Sequence, residues 1–225
     1  MKAERAEVIS AIEKEKCIVI VRGVSREKLI PLGEAIYEGG IRLMEITYNA
    51  GGQPADEEIA ASIQMLSEHF AGRMYIGAGT VLRPDQVERT AQAGGSFIIS
   101  PDTNREVIEK TAALGLVSIP GALTPTEIQA AHRYGADFVK VFPADAMGAG
   151  YIKAVKAPLS HIRMLAVGGV TAENKELFLK AGADGFGIGS GIVDQKLIAA
   201  GDFAGITQLA RKYCVSVENG DNQPR

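Results

Sequence analysis

The sequence predicts an α/β protein of the (β/α)8 TIM-barrel class with an extra helix at the N-terminus. Short apolar runs rich in β-branched residues return along the chain at the spacing of βα units, with amphipathic segments of helical period between them. Strands that alternate with helices form a parallel sheet, and eight such units in a chain of ~200–250 residues favour closure into a barrel.

Eight strands are predicted, and the charged, helical pattern of residues 1–16 predicts a helix that covers the barrel floor. Pro54, Pro84 and Pro125 are expected in the first turns of helices, and Thr124 with Glu127 predicts a capping box. An open doubly wound sheet is the alternative, but the Gly-rich turn typical of its first strand is missing here. The predicted strands span residues 17–22, 43–47, 74–80, 97–101, 117–121, 138–143, 164–170 and 185–190.

The composition fits one barrel domain over residues 1–215, followed by a polar, flexible tail at residues 216–225. Of the 225 residues 46% are hydrophobic, and 24 basic and 27 acidic side chains leave a net charge of −3. No block of like charge and no apolar run of membrane length occurs, so nucleic acid and membranes are not expected as partners. Cys17 and Cys214 form neither a disulfide framework nor a metal-binding spacing, which favours a reducing, cytoplasmic location.

Lys140 is the first candidate for catalysis because it lies within an apolar predicted strand. Strand parity puts it on one face with Phe138 and Phe142, and in a barrel one face lines the interior. Burial lowers the pKa of a lysine, and attack on a carbonyl requires a neutral, desolvated amine. The alternative is a lysine whose stem packs in the barrel while its ammonium reaches solvent at the strand end.

Glu45 is the only carboxylate inside any predicted strand, and it shares a face with Leu43 and Thr47. Beside an amine it could move protons while an imine forms and breaks down. A buried structural ion pair with Lys140 is the alternative interpretation, because ion-pair networks also bury charge. Thr47, on the same face as Glu45, is predicted to bind substrate.

Arg22 ends the first predicted strand on the face of Ile18 and Ile20, where its planar guanidinium could hold a carboxylate by two-point contact. A surface arginine at a strand exit is the alternative. Thr80 and Pro101, at the ends of the third and fourth predicted strands, could also line the barrel mouth. From the pattern alone, the interpretation of these residues as turn and cap residues is favoured.

Two glycine motifs, Gly168-Gly169 and Gly189-Ser190-Gly191, follow the last two predicted strands. Barrels often bind phosphate with the loops at these two places, where backbone N–H groups at the start of the next helices complete the site. Each motif alone fits an ordinary turn, but their joint placement predicts a phosphate site. No metal site is predicted, because no metal-ligand spacing relates the three histidines, His69, His132 and His161.

Seven motifs follow one another in an order that is typical of a known family. They are MEIT around Glu45, GAGTV at 77–81, SP at 100–101, PGALTPTE at 120–127, KVFPA at 140–144, GGV at 168–170 and IGSGIV at 188–193. Over residues 8–213 the chain resembles 2-keto-3-deoxy-6-phosphogluconate (KDPG) and 4-hydroxy-2-oxoglutarate (KHG) aldolases. KVFPA with the upstream MEIT is the most specific part of this resemblance.

The resemblance implies a (β/α)8 barrel, usually a homotrimer, that needs no metal or organic cofactor. The implied reaction cleaves a 2-keto-3-deoxy-6-phospho sugar acid to pyruvate and glyceraldehyde 3-phosphate. The resemblance implies Lys140 as the Schiff-base lysine and Glu45 as the general acid and base. It places Thr80, Pro101 and Phe142 around the pyruvyl group. It places Gly168, Gly169 and Ser190 at the phosphate.

The chain departs from the family pattern at two positions. Asn49 stands where many members have the arginine that binds the pyruvyl carboxylate, which favours Arg22 for that role. Val167 stands where many members have a threonine whose hydroxyl could contact the substrate. Related aldolases that act on the galactonate epimer are similar to this chain there, so the gluconate and galactonate epimers are both left open.

Three other functions stay compatible with these residues. A 4-hydroxy-2-oxoglutarate aldolase would use the same lysine, bind a carboxylate in place of the phosphate, and release pyruvate and glyoxylate. A non-catalytic phosphate-ligand-binding barrel would need Lys140 and Glu45 to be a structural pair, although an apolar pair is often equally stable. Another barrel enzyme, acting on a thiazole phosphate or a ribulose phosphate, would leave the two residues without a role.

Overall fold

The structure, a computed structural model, describes residues 4–214, and within them the chain forms nine strands and eleven helices. The predicted tail at residues 216–225 lies outside the described residues. The strands are β1 (Cys17–Val21), β2 (Leu43–Thr47), β3 (Tyr75–Gly79), β4 (Phe97–Ile99), β5 (Val117–Ile119), β6 (Gly121–Ala122), β7 (Val139–Val141), β8 (Met164–Val167) and β9 (Gly185–Ile188). The helices are α1 (Arg5–Glu15), α2 (Arg26–Glu38), α3 (Asp56–His69), α4 (Pro84–Gln92), α5 (Arg105–Ala113), α6 (Pro125–Arg133), α7 (Ala144–Met147), α8 (Ala149–Lys156), α9 (Lys175–Lys180), α10 (Gln195–Ala200) and α11 (Phe203–Arg211).

The strands are parallel and form one sheet in the order β5-β4-β3-β2-β1-β9-β8-β7-β6. β5 and β6 are the two halves of the predicted fifth strand, and Pro120 between them has no N–H to continue the ladder. Hydrogen bonds on both sides of this break close the sheet. The Ser100 N–H donates to the Ile119 carbonyl (3.2 Å), and the Lys140 N–H donates to the Pro120 carbonyl (2.8 Å). The predicted (β/α)8 barrel is therefore confirmed, with its fifth strand interrupted.

Strand parity divides the buried apolar side chains into two layers. One layer fills the barrel interior, and the other lies between the barrel and the surrounding helices. Val8 and Ile12 of α1 are fully buried against the interior layer, so the N-terminal helix covers the barrel floor as predicted. The buried residues of the interior that lie on the strands, or in the case of Phe138 next to β7, are Ile18, Leu43, Phe97, Ile99, Val117, Ile119, Phe138, Leu165 and Val167.

Most strands were predicted to extend further at their carboxyl ends than they do in the structure. Arg22, Thr80, Pro101, Phe142 and Gly168 all lie just beyond the paired part of their strands. Thr80 has φ 55° and Gly168 has φ 91°, and this left-handed backbone turns the chain out of the sheet. Apolar sequence alone does not reveal such a turn. These residues consequently form the rim at the carboxyl edge of the barrel.

Two of the three prolines that were predicted to lie in the first turn of a helix do so. Pro84 and Pro125 begin α4 and α6. At the start of α6 the Thr124 N–H donates to Glu127 (2.7 Å) while the Glu127 N–H donates to the Thr124 hydroxyl (3.3 Å), which confirms the capping box. The prediction for Pro54 was wrong, because α3 begins only at Asp56 and Pro54 lies in the preceding loop. Among residues 4–214, no helix has the length and apolar character needed to cross a membrane.

Candidate active site

A cavity of about 600 Å³ opens at the carboxyl edge of the barrel. Active sites of this architecture are found at that edge, where loops after the strands converge. Every predicted site residue except Thr47 lines the cavity. These residues are Arg22, Glu45, Thr80, Pro101, Lys140, Phe142, Gly168, Gly169, Gly189 and Ser190.

Thr47 is buried in β2 but does not line the cavity. Its prediction rested on strand parity, which fixes the face of a side chain but not whether the cavity reaches it. Sequence reasoning also missed several wall residues. Parity could have indicated Ile20 and Gly187, whereas no local signal marks Tyr213, which follows an amphipathic helix near the end of the described chain. The missed residues are Ile20, Val170, Thr171, Gly187 and Tyr213.

A larger groove of about 960 Å³ lies between α1 and the amino end of β3, away from the rim. None of its ionisable side chains is buried, and several of them pair with protein groups. Glu4 and Glu7 form the capping box of α1, and Arg73 donates to Glu34 (3.0 and 2.9 Å). The smaller cavity, with its buried lysine and carboxylate, is therefore the better candidate for chemistry.

Lys140 and Glu45 supply buried ionisable groups to the cavity, with 8% and 2% of their surfaces exposed. Burial lowers the pKa of the Lys140 ammonium, an effect that the Glu45 charge opposes and the Arg22 charge assists. Burial also raises the pKa of Glu45 to about 7, against the lowering effect of Lys140 and Arg22. Both shifts favour the neutral forms, and the Glu45 carboxyl can exchange protons with a bound molecule near pH 7.

Gly79 of β3 makes the space that the Glu45 carboxylate occupies. A Cβ atom at residue 79 would lie 2.5 Å from the carboxylate carbon of Glu45. Within residues 4–214, the Oε2 atom of this buried carboxylate has no hydrogen-bond partner. A buried carboxylate oxygen without a partner is costly in a purely structural role, which favours a functional one.

The Phe142 ring covers Lys140 at the rim of the cavity. The Lys140 Nζ atom lies 4.8 Å from the ring centroid, in cation–π geometry. Phe142 is 40% exposed, although it is large and apolar. A ring in this position can shield a cation formed on Nζ from solvent and contact an apolar part of a bound molecule.

Arg22 is held at the rim by Thr80. The Nη2 atom of Arg22 donates to the Thr80 hydroxyl (2.9 Å), and Thr80 keeps its unusual positive φ although it is β-branched. Such strained conformations cluster at functional sites. Asn49 instead bonds within its own loop, accepting from the Gly51 N–H (2.9 Å), and does not line the cavity. Arg22 is therefore the better placed of the two to bind a carboxylate.

The two glycine loops form one wall of the cavity. After β8, Gly168 and Gly169 both have positive φ (91° and 75°). In the described part of the chain, the backbone N–H groups of Gly169, Ser190 and Gly191 donate to no protein acceptor. Free N–H groups on two loops that line one cavity are suited to binding an anion such as phosphate.

The histidines lie outside this cavity. His69 contacts Glu34 (2.6 Å), and His132 packs edge-on against His161 with ring centroids 5.1 Å apart. Across residues 4–214, no group of three His, Cys, Asp or Glu side chains is arranged to hold a metal ion.

Comparison with known proteins identifies chains that are similar in sequence. Residues 8–209 match the family described as KDPG and KHG aldolase. The chain is 38% identical over 174 residues to the 2-dehydro-3-deoxy-6-phosphogalactonate aldolase of Escherichia coli K12, covering 77% of this chain and 82% of that one. It is 33% identical over 209 residues to the 2-dehydro-3-deoxy-phosphogluconate aldolase of Treponema pallidum, covering 91% and 95%.

A solved structure is also similar in fold. It is the KDPG aldolase of Legionella pneumophila with pyruvate captured at low pH as a covalent carbinolamine intermediate. The TM-score is 0.82 at 27% sequence identity, over 92% of this chain and 98% of that one. The barrel fold is thus shared along nearly the whole chain.

Proposed function

Since the chain belongs to the KDPG and KHG aldolase family, we propose that it cleaves a 2-keto-3-deoxy-6-phospho sugar acid through an imine on Lys140. The products are pyruvate and glyceraldehyde 3-phosphate, and the protein is an aldehyde-lyase. One observation carries the proposal: a buried lysine and a buried carboxylate share a cavity with an arginine and two glycine loops. The cavity thus offers a nucleophile, a base and two anion sites.

Covalent bond formation begins at Lys140. Its neutral amine attacks the C2 ketone of the substrate to give a carbinolamine, and loss of water leaves a protonated imine. The lowered pKa of Lys140 supports this step, because a larger fraction of the amine is neutral near pH 7. The Phe142 ring, 4.8 Å from Nζ, stabilises the positive charge of the imine.

Carbon–carbon cleavage uses Glu45 as the base. Glu45, directly or through a water molecule, removes the proton of the C4 hydroxyl, and the electron pair of the C3–C4 bond moves into the imine to form an enamine. The aldehyde leaves, and protonated Glu45 returns a proton to C3. Water then hydrolyses the imine and releases pyruvate. A carboxyl group with a pKa of about 7 can serve both as base and as acid in this sequence.

In this proposal separate groups bind the two charged ends of the substrate. Arg22 binds the carboxylate next to C2, and Thr80 orients its guanidinium. The N–H groups of the glycine loops bind the phosphate, which keeps the leaving aldehyde aligned with Lys140. We further propose, from the family resemblance, a cytoplasmic homotrimer that needs no metal or organic cofactor.

Arg22→Met should raise the KM for the phosphorylated keto acid by about 10- to 100-fold and change kcat less, because a charge-assisted contact to the carboxylate is lost. Steady-state kinetics would measure both constants. Arg105→Met is the matched control, since the Arg105 guanidinium pairs with Glu109 on an exposed helix face outside the cavity. An unchanged KM in Arg22→Met would assign the carboxylate to another group.

Substrate comparison tests the proposed function itself. We expect the phosphorylated gluconate and galactonate acids to be cleaved with a kcat/KM at least about tenfold above that of 4-hydroxy-2-oxoglutarate, because only they carry a phosphate for both glycine loops. The apolar wall at Val167 should limit discrimination between the two epimers to about 10²-fold. A clear preference for 4-hydroxy-2-oxoglutarate would contradict the assignment of a phosphorylated substrate.

A further inference from the structure

Lys175 is a buried lysine that the proposed reaction does not use. It is 8% exposed and begins α9, shortly after the glycine loop that follows β8. Its ammonium donates to the carbonyl oxygens of Lys212 (2.7 Å) and Cys214 (3.2 Å). In the described residues it has no carboxylate within ion-pair distance, so a buried charge is satisfied by backbone alone.

Tyr213 lies between the two residues whose carbonyls Lys175 holds. Its side chain is 4% exposed and lines the cavity beside the glycine loops. Its hydroxyl packs directly against Gly191, where any Cβ atom would collide with it. A hydrogen bond from the Ala172 backbone to the phenol oxygen opposes the rise in pKa that burial causes. One phenol therefore contacts the loop after β8 and the loop after β9.

We infer that Lys175 and Tyr213 form a C-terminal clasp that sets the spacing of the two glycine loops for binding the substrate phosphate. The inference rests on the proposed function, and it assigns positioning roles to two residues outside the family motifs. Lys175 fixes the backbone on both sides of Tyr213, and the Tyr213 hydroxyl supports the loops that carry the free N–H groups. Phosphate binding by backbone N–H groups depends on the relative position of those groups to within a fraction of an ångström.

A purely structural role is the competing explanation. A lysine ammonium at the C-terminus of α11 also interacts favourably with the free carbonyls and the helix dipole. In that case loss of either side chain would lower stability without selecting among substrates. The clasp makes a different prediction, because it affects only the end of the substrate that carries the phosphate.

Tyr213→Phe tests the clasp by removing one hydroxyl and keeping the ring. We expect the KM for the 6-phosphorylated keto acid to rise about fivefold with kcat nearly unchanged, the effect of losing one hydrogen bond. The KM for the same keto acid without its phosphate should not change. Lys175→Met should show the same split between the two substrates, and competitive inhibition by inorganic phosphate should weaken in parallel.

Two control variants remove comparable groups elsewhere. Tyr48→Phe deletes a buried hydroxyl that contacts Gln86 (3.3 Å) and Thr90 (3.1 Å). Lys156→Met deletes an ammonium that donates to the Ile162 carbonyl (2.8 Å) and pairs with Asp184 (2.7 Å). Neither Tyr48 nor Lys156 lines the cavity. Their melting temperatures calibrate the loss of stability, and their KM ratios for the two substrates should equal that of the unchanged protein.

The outcomes separate the clasp from the proposed function. If both clasp variants change the two KM values equally, or change neither, the clasp is wrong while the aldolase assignment stands. If the unchanged protein cleaves neither keto acid, the proposed function fails, and calorimetric titration with inorganic phosphate then decides the clasp alone. Weaker phosphate binding in both clasp variants than in the controls would support it, and equal binding would overturn it.

Discussion

Lys140→Met reduces turnover of the phosphorylated keto acid to background, an expected loss of roughly 10⁶-fold in kcat, as for removal of the nucleophile from other covalent enzymes. Among the described residues no other lysine lines the cavity, so no neighbouring amine can replace it. Steady-state assays at high enzyme concentration would measure the residual rate. Activity within tenfold of the unchanged protein would refute a covalent role for Lys140.

The fold should survive this substitution. Lys140→Met exchanges a buried, desolvated ammonium for an apolar side chain of similar length. Replacing both members of a buried charge pair by apolar groups is often neutral or stabilising, whereas removing one member leaves the other buried and unpaired. Below pH 7 the Glu45 carboxyl left in Lys140→Met is protonated, because loss of the Lys140 charge removes an interaction that lowers its pKa. We therefore expect a melting temperature at pH 6 close to that of the unchanged protein, so that a loss of turnover reports on chemistry and not on unfolding. Lys153→Met, at an exposed position of α8, is the control for loss of one lysine charge.

Glu45→Gln is expected to lower kcat by about 10²- to 10⁴-fold, the usual contribution of a positioned general base. The amide cannot accept the C4 hydroxyl proton, although it fills the same space beside Gly79. In the unchanged protein, kcat/KM should rise with pH through about 7 as Glu45 ionises. A rate profile measured across this range should lose the Glu45 transition in the variant.

Glu45→Gln should raise the stability of the folded protein at pH 8, although it lowers activity. Folding raises the pKa of Glu45 from its usual 4.5 to about 7, so the protonated carboxyl is the form that the folded state favours. The carboxylate therefore costs the folded state stability progressively between pH 4.5 and 7, up to roughly 3 kcal/mol above that range. Glu45→Gln should unfold at higher denaturant concentration than the unchanged protein at pH 8, and at about the same concentration at pH 4. A less stable variant at pH 8 would mean that the ionised carboxylate makes a stabilising contact.

Sequence reasoning identified Lys140 and Glu45 because each places a charge inside an apolar strand, where burial costs free energy. Parity then put both side chains on the inner face, and the structure brings them into one cavity. The barrel itself was predictable for a similar reason. Alternation of strand and helix patterns is a property of short segments, which a single sequence displays directly.

Other features depend on contacts between distant segments and could not be predicted in this way. Tyr213 reaches the cavity only because α11 packs so that its end meets the loop at Gly191. Lys175 looks like an ordinary helix-start lysine until the carbonyls of Lys212 and Cys214 are placed beside it. The turn at Thr80 requires a conformation that threonine seldom adopts, so its sequence signal pointed to a longer strand.

The most direct test of the imine mechanism is to trap the imine on Lys140. The protein would be incubated with pyruvate and borohydride, digested, and its peptides analysed by mass spectrometry, with Lys140→Met treated in parallel. We expect a reduced pyruvyl group on Lys140 and no adduct in the variant. No adduct in the unchanged protein, or an adduct on a different lysine, would contradict the imine mechanism and favour a barrel that binds phosphate ligands without catalysis.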